Sequence, residues 1–437
     1  MIQSFQGVCP SGFTVAEFEK LLRAAIFKPV AELFGKALQQ AADRHDAHYR
    51  PRPGERYKGR AALEVQCIFG PFTLERDYYH HAGKRHGHCP ADAALGLEGS
   101  LTPALAGFVC LEGSDESSFG KAELHLREVG GIPMDARRIQ RVVQKVGKDA
   151  TKWLERDYRS AEPCDAAVMY VSADATGIPM RKEELAGRKG KQPDGTSKTR
   201  MAMLGCVFTQ HGLDDDGMPV RDHASTTYLG ALQGTTLFGA ALRREAARRG
   251  SATARRIVML IDGAPTLEKL GHDYFPSAVQ IVDFYHAMEH LTQLIEALLG
   301  KGDSRRTARR RHHWRKMLLA DGLERIINQA RREAVKLDKA QQIEALLGYF
   351  VHNVPRMQYG TFRREGLFIG SGVIEAGCRT VIGARCKHSG MFWSQSGLNN
   401  IIALRCINAS NYSTEFWKDR LAAKAASNHT KFFNPAA

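Results

Sequence analysis

The chain contains no apolar run approaching the roughly 18 residues that a membrane span requires. Its first residues, MIQSFQGVCP, lack the basic-then-apolar layout of a secretion signal. The expectation is a cytoplasmic protein. Cysteine is scarce: nine in 437 residues, an odd number with no Cys-x-x-Cys pair, which argues against a disulfide framework and against a zinc ribbon. Acidic residues are also short of basic ones, 47 against 62, which leaves a net charge of +15. An excess of that size favours a polyanionic partner such as nucleic acid or an acidic membrane surface. Apolar residues still make up 43% of the chain, ample for real cores, and the length suggests two to four domains.

The first helix is predicted at TVAEFEKLLRAAIF, with Thr14 and Glu17 as a capping box, Phe18, Leu21, Leu22 and Ile26 on one face, and Pro29 breaking or kinking it. Residues 45–100 read as irregular with short strand-like pieces. They include the His-rich stretch HHAGKRHGHC, whose spacing fits no familiar zinc-ligand pattern and reads as a solvated loop. Over 117–148 two helical patterns, SFGKAELHLREV and MDARRIQRVVQKVG, flank the break GGIP, the outline of a helix-turn-helix. Arg137, Arg138, Arg141 and Lys145 on the second helix form a face suited to phosphates and guanine edges; an ordinary helical hairpin has the same outline.

From residue 165 the period changes. DAAVMYVSAD, TRMAMLGCVFT and ASTTYLG read as strands and TLFGAALRREAARRG as a helix. RRIVMLIDG and AVQIVDF follow as strands, each with a helix after it. Three strands, a helix, then strand, helix, strand, helix describe an α/β domain round a mixed sheet, and this is the element order of the RNase H-like fold. Residues 301–352 interrupt it with a basic, wholly helical pattern that includes RRTARRRHHWRK, before IGSGVIEAGCRTVIGARC resumes the α/β domain.

Asp174 ends the first of these strands and Asp262 the fourth, which lie side by side in that topology, and Glu375 sits on a later helix. Carboxylates cannot share a small site without taking up a proton or binding a cation, and hard oxygen ligands select Mg²⁺ or Mn²⁺. A pair of such ions about 3.5–4 Å apart would activate a water or DNA 3′ hydroxyl and steady the leaving oxygen of an in-line phosphoryl displacement. Taken singly, Asp174 and Asp262 could each be turn residues and Glu375 a first-turn acid answering the helix dipole.

SADATGIPM, LIDGA, VDFYHAMEHL and GSGVIEAGCRTVIGARCKHSGMFWS, in that order, resemble the catalytic blocks of DDE transposases of bacterial insertion sequences, in particular the ISKra-type group allied to Mutator-like transposases. The resemblance covers about residues 70–410. It implies an RNase H-like mixed-sheet core with an all-α insertion before the final acid, with Asp174, Asp262 and Glu375 as the catalytic, metal-binding triad. The Asp283 and His286 pair is similar to the C/D-x-x-H signature of such families. Asp283 would hold His286, complete the metal shell, or form an interior pair with no catalytic part.

The resulting division is an N-terminal region over 1–105, a helix-turn-helix unit over 106–150, core over 160–300, insertion over 301–352, core with the final acid over 353–410 and a tail over 411–437. Further DNA contacts are expected from Arg181, Arg188, Lys189, Lys191, Lys198 and Arg200 in a Gly-rich loop, and from Arg379, Arg385 and Lys387. Arg379 could instead pair with Glu375, and Trp393 would stack on an unpaired base or lie in the core. The expected function is a nucleoid-associated transposase that binds terminal inverted repeats in double-stranded DNA, acting as a dimer or higher, and performs Mg²⁺-dependent cleavage and strand transfer. The alternatives are a structure-selective nuclease without joining and a sequence-specific regulator or inactive element remnant.

Overall fold

A computed structural model describes residues 14–81, 83, 85–156, 164, 166–190, 192, 195–300 and 304–430. It divides into two compact units, one of residues up to Val146 together with those from Ser413 on, the other Gly147–Tyr412.

In the first unit, α1 (Val15–His48) opens on the Thr14/Glu17 capping box. Of the break or kink expected at Pro29 there is no break: the helix runs on to His48, with Ala31, Gly35 and Ala42 buried. Leu21 and Ile26, on the apolar face read from the sequence, are exposed. The strand-like pieces expected in this region join into one long antiparallel hairpin, β1 (Glu55–Cys67) and β2 (Gly70–His81), where shorter strands in an irregular stretch were expected. Its closed end buries Val65, Cys67, Phe72 and Leu74 against Ala31 and Ala42 of α1. Gly35 makes that approach possible, because a Cβ there would sit 2.9 Å from the Phe72 side chain. His88 pairs with Glu55 at 3.5 Å, which accounts for one member of the His-rich stretch.

After α2 (Pro90–Ala94), three helices follow: α3 (Pro103–Asp115), α4 (Phe119–Glu128) and α5 (Ala136–Leu154). α3 packs on α5 at Gly113, where a Cβ would stand 2.6 Å from Val143. Gly131, at φ 65°, turns the chain between α4 and α5, and Arg23 of α1 donates to the carbonyl oxygens of Val129 and Gly130 to fix that turn.

The second unit is mixed α/β. Its strands are β3 (Met169–Pro179), β4 (Thr199–Leu213), β5 (Pro219–Arg221), β6 (Thr227–Ala231), β7 (Ile257–Ile261) and β8 (Val279–Val282). They form one sheet of order β5-β4-β3-β7-β8, with β6 also on β4. β4 runs antiparallel to β3, β5 and β6, whereas β3, β7 and β8 run parallel. β3 is apolar on both faces because both are covered. Met169, Val171 and Ala173 share a core with Phe238, Leu242 and Leu270, while Tyr170 stacks on Phe208 at 4.9 Å on the other side.

Three helices belong to the sheet portion, α6 (Thr235–Arg248), α7 (Pro265–Tyr274) and α8 (Phe284–Leu299). Then come α9 (Ser304–Leu318), α10 (Leu323–Lys336) and α11 (Ala340–Asn353), within the stretch read as an all-helical insertion. The chain returns through α12 (Tyr359–Arg364) and α13 (Gly372–Gly377), a π-helical turn (Cys378–Gly383), α14 (Ala384–Cys386) and α15 (Gln395–Ala409). The last helix, α16 (Ser413–Thr430), lies in the stretch expected to be a tail and belongs to the first unit. None of the helices is long and apolar enough to cross a membrane among the described residues.

Candidate active site

β3 and β7 are the parallel neighbours at the middle of the sheet, and their last paired residues are Ser172 and Leu260. Two residues on from that pair, Asp174 is still within β3, where it pairs with Leu204 of β4, and Asp262 directly follows the last residue of β7. Each carboxylate uses one oxygen locally: Asp174 accepts the N–H of Ala175 at 2.6 Å and Asp262 that of Ala264 at 2.8 Å. Both are half-buried.

Asp283 follows β8 and is fully buried. Its Oδ1 accepts the backbone N–H of His286 at 2.7 Å, capping α8, and its Oδ2 accepts the N–H of Ser371. Both oxygens accept N–H donors, which fits Asp283 as a holder of His286 and equally as an interior pair. Phe284 N–H in turn donates to Ile369 O at 2.9 Å, so the start of α8 is laced to the segment that leads into α13.

That lacing sets Glu375. Ser371 Oγ donates to Glu375 Oε1 at 3.2 Å, and His286 Nδ1 lies 3.4 Å from Asp283 and 3.9 Å from Glu375. One donor atom each from Asp283, His286 and Glu375 falls within 4.8 Å of the others. The Asp283 carboxylate, with help from Glu289 and Asp262, pushes the His286 imidazole up to about 9 against the pull of burial. His286 is therefore a cation at neutral pH, placed among Asp262, Asp283 and Glu375. Removing Asp283 strands two buried N–H groups, so Asp283→Ala is expected to cost about 3 kcal/mol of stability in urea titration. A loss under about 0.5 kcal/mol would mean that the lacing is not what holds α8 and α13.

Among the described residues Asp174 and Asp262 do not complete a group of that kind with Glu375; Asp174 is linked to the helix of Glu375 through Cys378. Burial and the Asp174 carboxylate, which the thiol hydrogen-bonds, raise the Cys378 pKa, and Cys378 lies one helical turn beyond Glu375. Lys387 then reaches across to Thr176 Oγ1 on β3. On the insertion side, Tyr349 of α11 donates to Asp262 O at 3.1 Å. Ser371, Cys378, Tyr349 and Lys387 in this supporting capacity were not read from sequence. Ser371 and Cys378 carried a signal, the spacings i−4 and i+3 from Glu375; Tyr349, from a remote helix, carried none.

The expected DNA contacts divide. Arg137, Arg141, Arg181, Arg188, Lys189, Lys198, Arg379 and Lys387 are exposed. Arg138 is half-buried and donates to Ser100 Oγ at 2.9 Å, and Lys145 pairs with Glu98 at 2.5 Å. Arg200 is half-buried between Gln395 at 2.8 Å and Glu184 at 3.7 Å. Lys191 lies outside the described residues. Two expectations are corrected. Trp393 does not offer a face to a base: it is buried, its indole N–H donates to Cys386 O at 3.1 Å, and its backbone pairs with the end of β3. Arg385 is 1% exposed, with its guanidinium 5.2 Å from the Trp393 ring.

No family model matches the chain, and no curated protein resembles it in sequence. Among solved structures, the Drosophila P element transposase strand transfer complex is similar over 78% of this chain and 82% of that chain, at 10% identity and a TM-score of 0.25. A TM-score of that size is too low to establish a common fold.

Proposed function

We propose that this chain is a DDE-type transposase with an RNase H-like core, which binds the ends of its element in double-stranded DNA, cuts them with Mg²⁺ and joins the 3′ ends to a target. The observation that carries this reading is the convergence of the elements bearing Asp174, Asp262 and Glu375 on one end of the mixed sheet. Supporting it are the strand order, with an antiparallel block on one side of β3 and parallel β7 and β8 on the other, and the helices α9–α11 lying between β8 and Glu375. The helices α4 and α5, with Arg137 and Arg141 outward, would act as the helix-turn-helix that reads the ends.

The donor set fits a hard cation, since Asp174, Asp262 and Glu375 offer oxygen ligands alone. Bound there, divalent metal would supply hydroxyl activation and charge neutralisation at the leaving oxygen. The protein's own part is placement. Asp283 fixes the approach to α13 and thereby Glu375, and Cys378 holds Asp174. His286, a cation, would draw a phosphodiester oxygen into the cluster. Arg181, Arg188, Lys189 and Lys198, in the loop that follows β3, would bear on the flanking phosphates.

Incubation with Mg²⁺ and a duplex carrying the element's end tests this. The expected products are 3′ hydroxyl ends, and joined strands when a target is supplied. Cutting without joining would assign the chain to structure-selective nucleases. Tight end binding with no cutting would assign it to regulators.

A further inference from the structure

α9 carries six arginines and one lysine in 15 residues and no acidic residue. Its inner face is fixed without most of them. Trp314 is fully buried and donates to Gln329 at 3.1 Å, and Arg310 forms a two-pronged pair with Glu333 at 2.8 and 3.0 Å. At 100° per residue, Arg305, Arg309, His312 and Lys316 fall on the side opposite Trp314, and all four are exposed. Like charges one turn apart, as at Arg305 and Arg309, oppose helix formation by about 0.2–0.5 kcal/mol per pair. The chain sustains this repulsion on a helix whose anchoring does not need those charges. A polyanion laid along the face would relieve it.

The face also has a direction. Arg315, toward the C-terminal end of α9, places its guanidinium 5.7 Å from the Phe284 ring, and Phe284 follows Asp283 directly. The C-terminal end of α9, which carries the Lys316 end of the ridge, therefore lies near the start of α8, and the other end, at Arg305, is about 15 Å away at 1.5 Å per residue. That length matches about four to five base pairs of duplex at 3.4 Å each.

We propose that the outer face of α9 binds the phosphate backbone of the DNA duplex beside the position that enters the acid cluster. This rests on the reading of the chain as a DNA-cutting enzyme, and it adds a contact surface outside the loop and helix pair already assigned to DNA. The ridge contacts phosphates and carries no sequence preference.

The test is fluorescence anisotropy of the full chain on a 30-base-pair duplex of arbitrary sequence, without divalent metal, across a salt series. The variant Arg305→Gln/Arg309→Gln/Lys316→Gln removes three exposed charges and leaves the buried face intact. With about 0.9 counterion released per contact, the slope of log affinity against log salt is expected to fall by about 2.7. Between 50 and 200 mM salt the unmodified chain then loses about 40-fold more affinity than the variant. Equal slopes for the two chains, with a reduced slope for Arg181→Gln/Arg188→Gln/Lys189→Gln, would overturn the ridge and leave the DNA reading standing. Absence of duplex binding by the unmodified chain would overturn both.

Discussion

Asp262→Asn, Asp174→Asn and Glu375→Gln are each expected to lower Mg²⁺-dependent strand cleavage by about a thousandfold or more while leaving duplex affinity within a factor of about two. The magnitude follows from the charge stabilisation that a cation site supplies, several kcal/mol, at about 1.4 kcal/mol per tenfold in rate. The substitutions keep shape and local hydrogen bonding, since an amide oxygen can still accept from Ala264 or Ser371. They remove only the charge. The measurement is single-turnover cleavage of an end duplex beside anisotropy on the same duplex. If Asp174→Asn cut at a rate near that of the unmodified chain, Asp174 would be the turn residue that its bond to Ala175 also describes.

The largest effect on stability is expected at Glu98, far from the acids in sequence. Glu98 is buried and meets Lys145 at 2.5 Å, Arg420 at 2.6 Å and Lys424. Arg420 and Lys424 lie on α16, so one carboxylate ties the last helix into the first unit. Its desolvation is outweighed by these cations, which hold its pKa at about 2 against an ordinary 4.5. Folding therefore favours the ionised form. The stabilisation is fully present above about pH 4.5 and is lost as the pH falls towards 2. Glu98→Gln is expected to cost about 3–5 kcal/mol at pH 7, because it leaves buried cations without a counter-charge. The gap narrows by about 2 kcal/mol at pH 3, where Glu98 begins to protonate. Hydrogen exchange of peptides from Ser413–Thr430 reports this unit directly. Equal protection in the two chains at pH 7 would show that α16 is held by its apolar contacts alone.

Much of the second unit was legible in the sequence because buried parallel strands advertise themselves. Residues 257–261, IVMLI, can satisfy their side chains only inside a sheet covered on both faces. The hairpin of β1 and β2 was legible only in part, from VQCIFGPFTLERDYY. The first half of β1, ERYKGR, is mostly exposed and has no polar-apolar alternation to read. Pro29 does not break its helix, because its cost is a lost hydrogen bond in one turn, which a helix of 34 residues absorbs. At the site, residue types pointed to the acids, but direction could not be read. Trp393 and Phe392 are adjacent, yet the tryptophan is buried and the phenylalanine is 61% exposed. Asp283 left several roles open in the sequence, and the two N–H donors on its oxygens could not be foreseen from its spacing to His286.

Mn²⁺ binding to the full chain, followed by electron paramagnetic resonance at neutral pH, bears most directly on the claim that Asp174, Asp262 and Glu375 form one cation site. Saturable binding that each of Asp174→Asn, Asp262→Asn and Glu375→Gln weakens by tenfold or more is the expected result. Binding that is absent from the unmodified chain, or that survives all three substitutions unchanged, would contradict it.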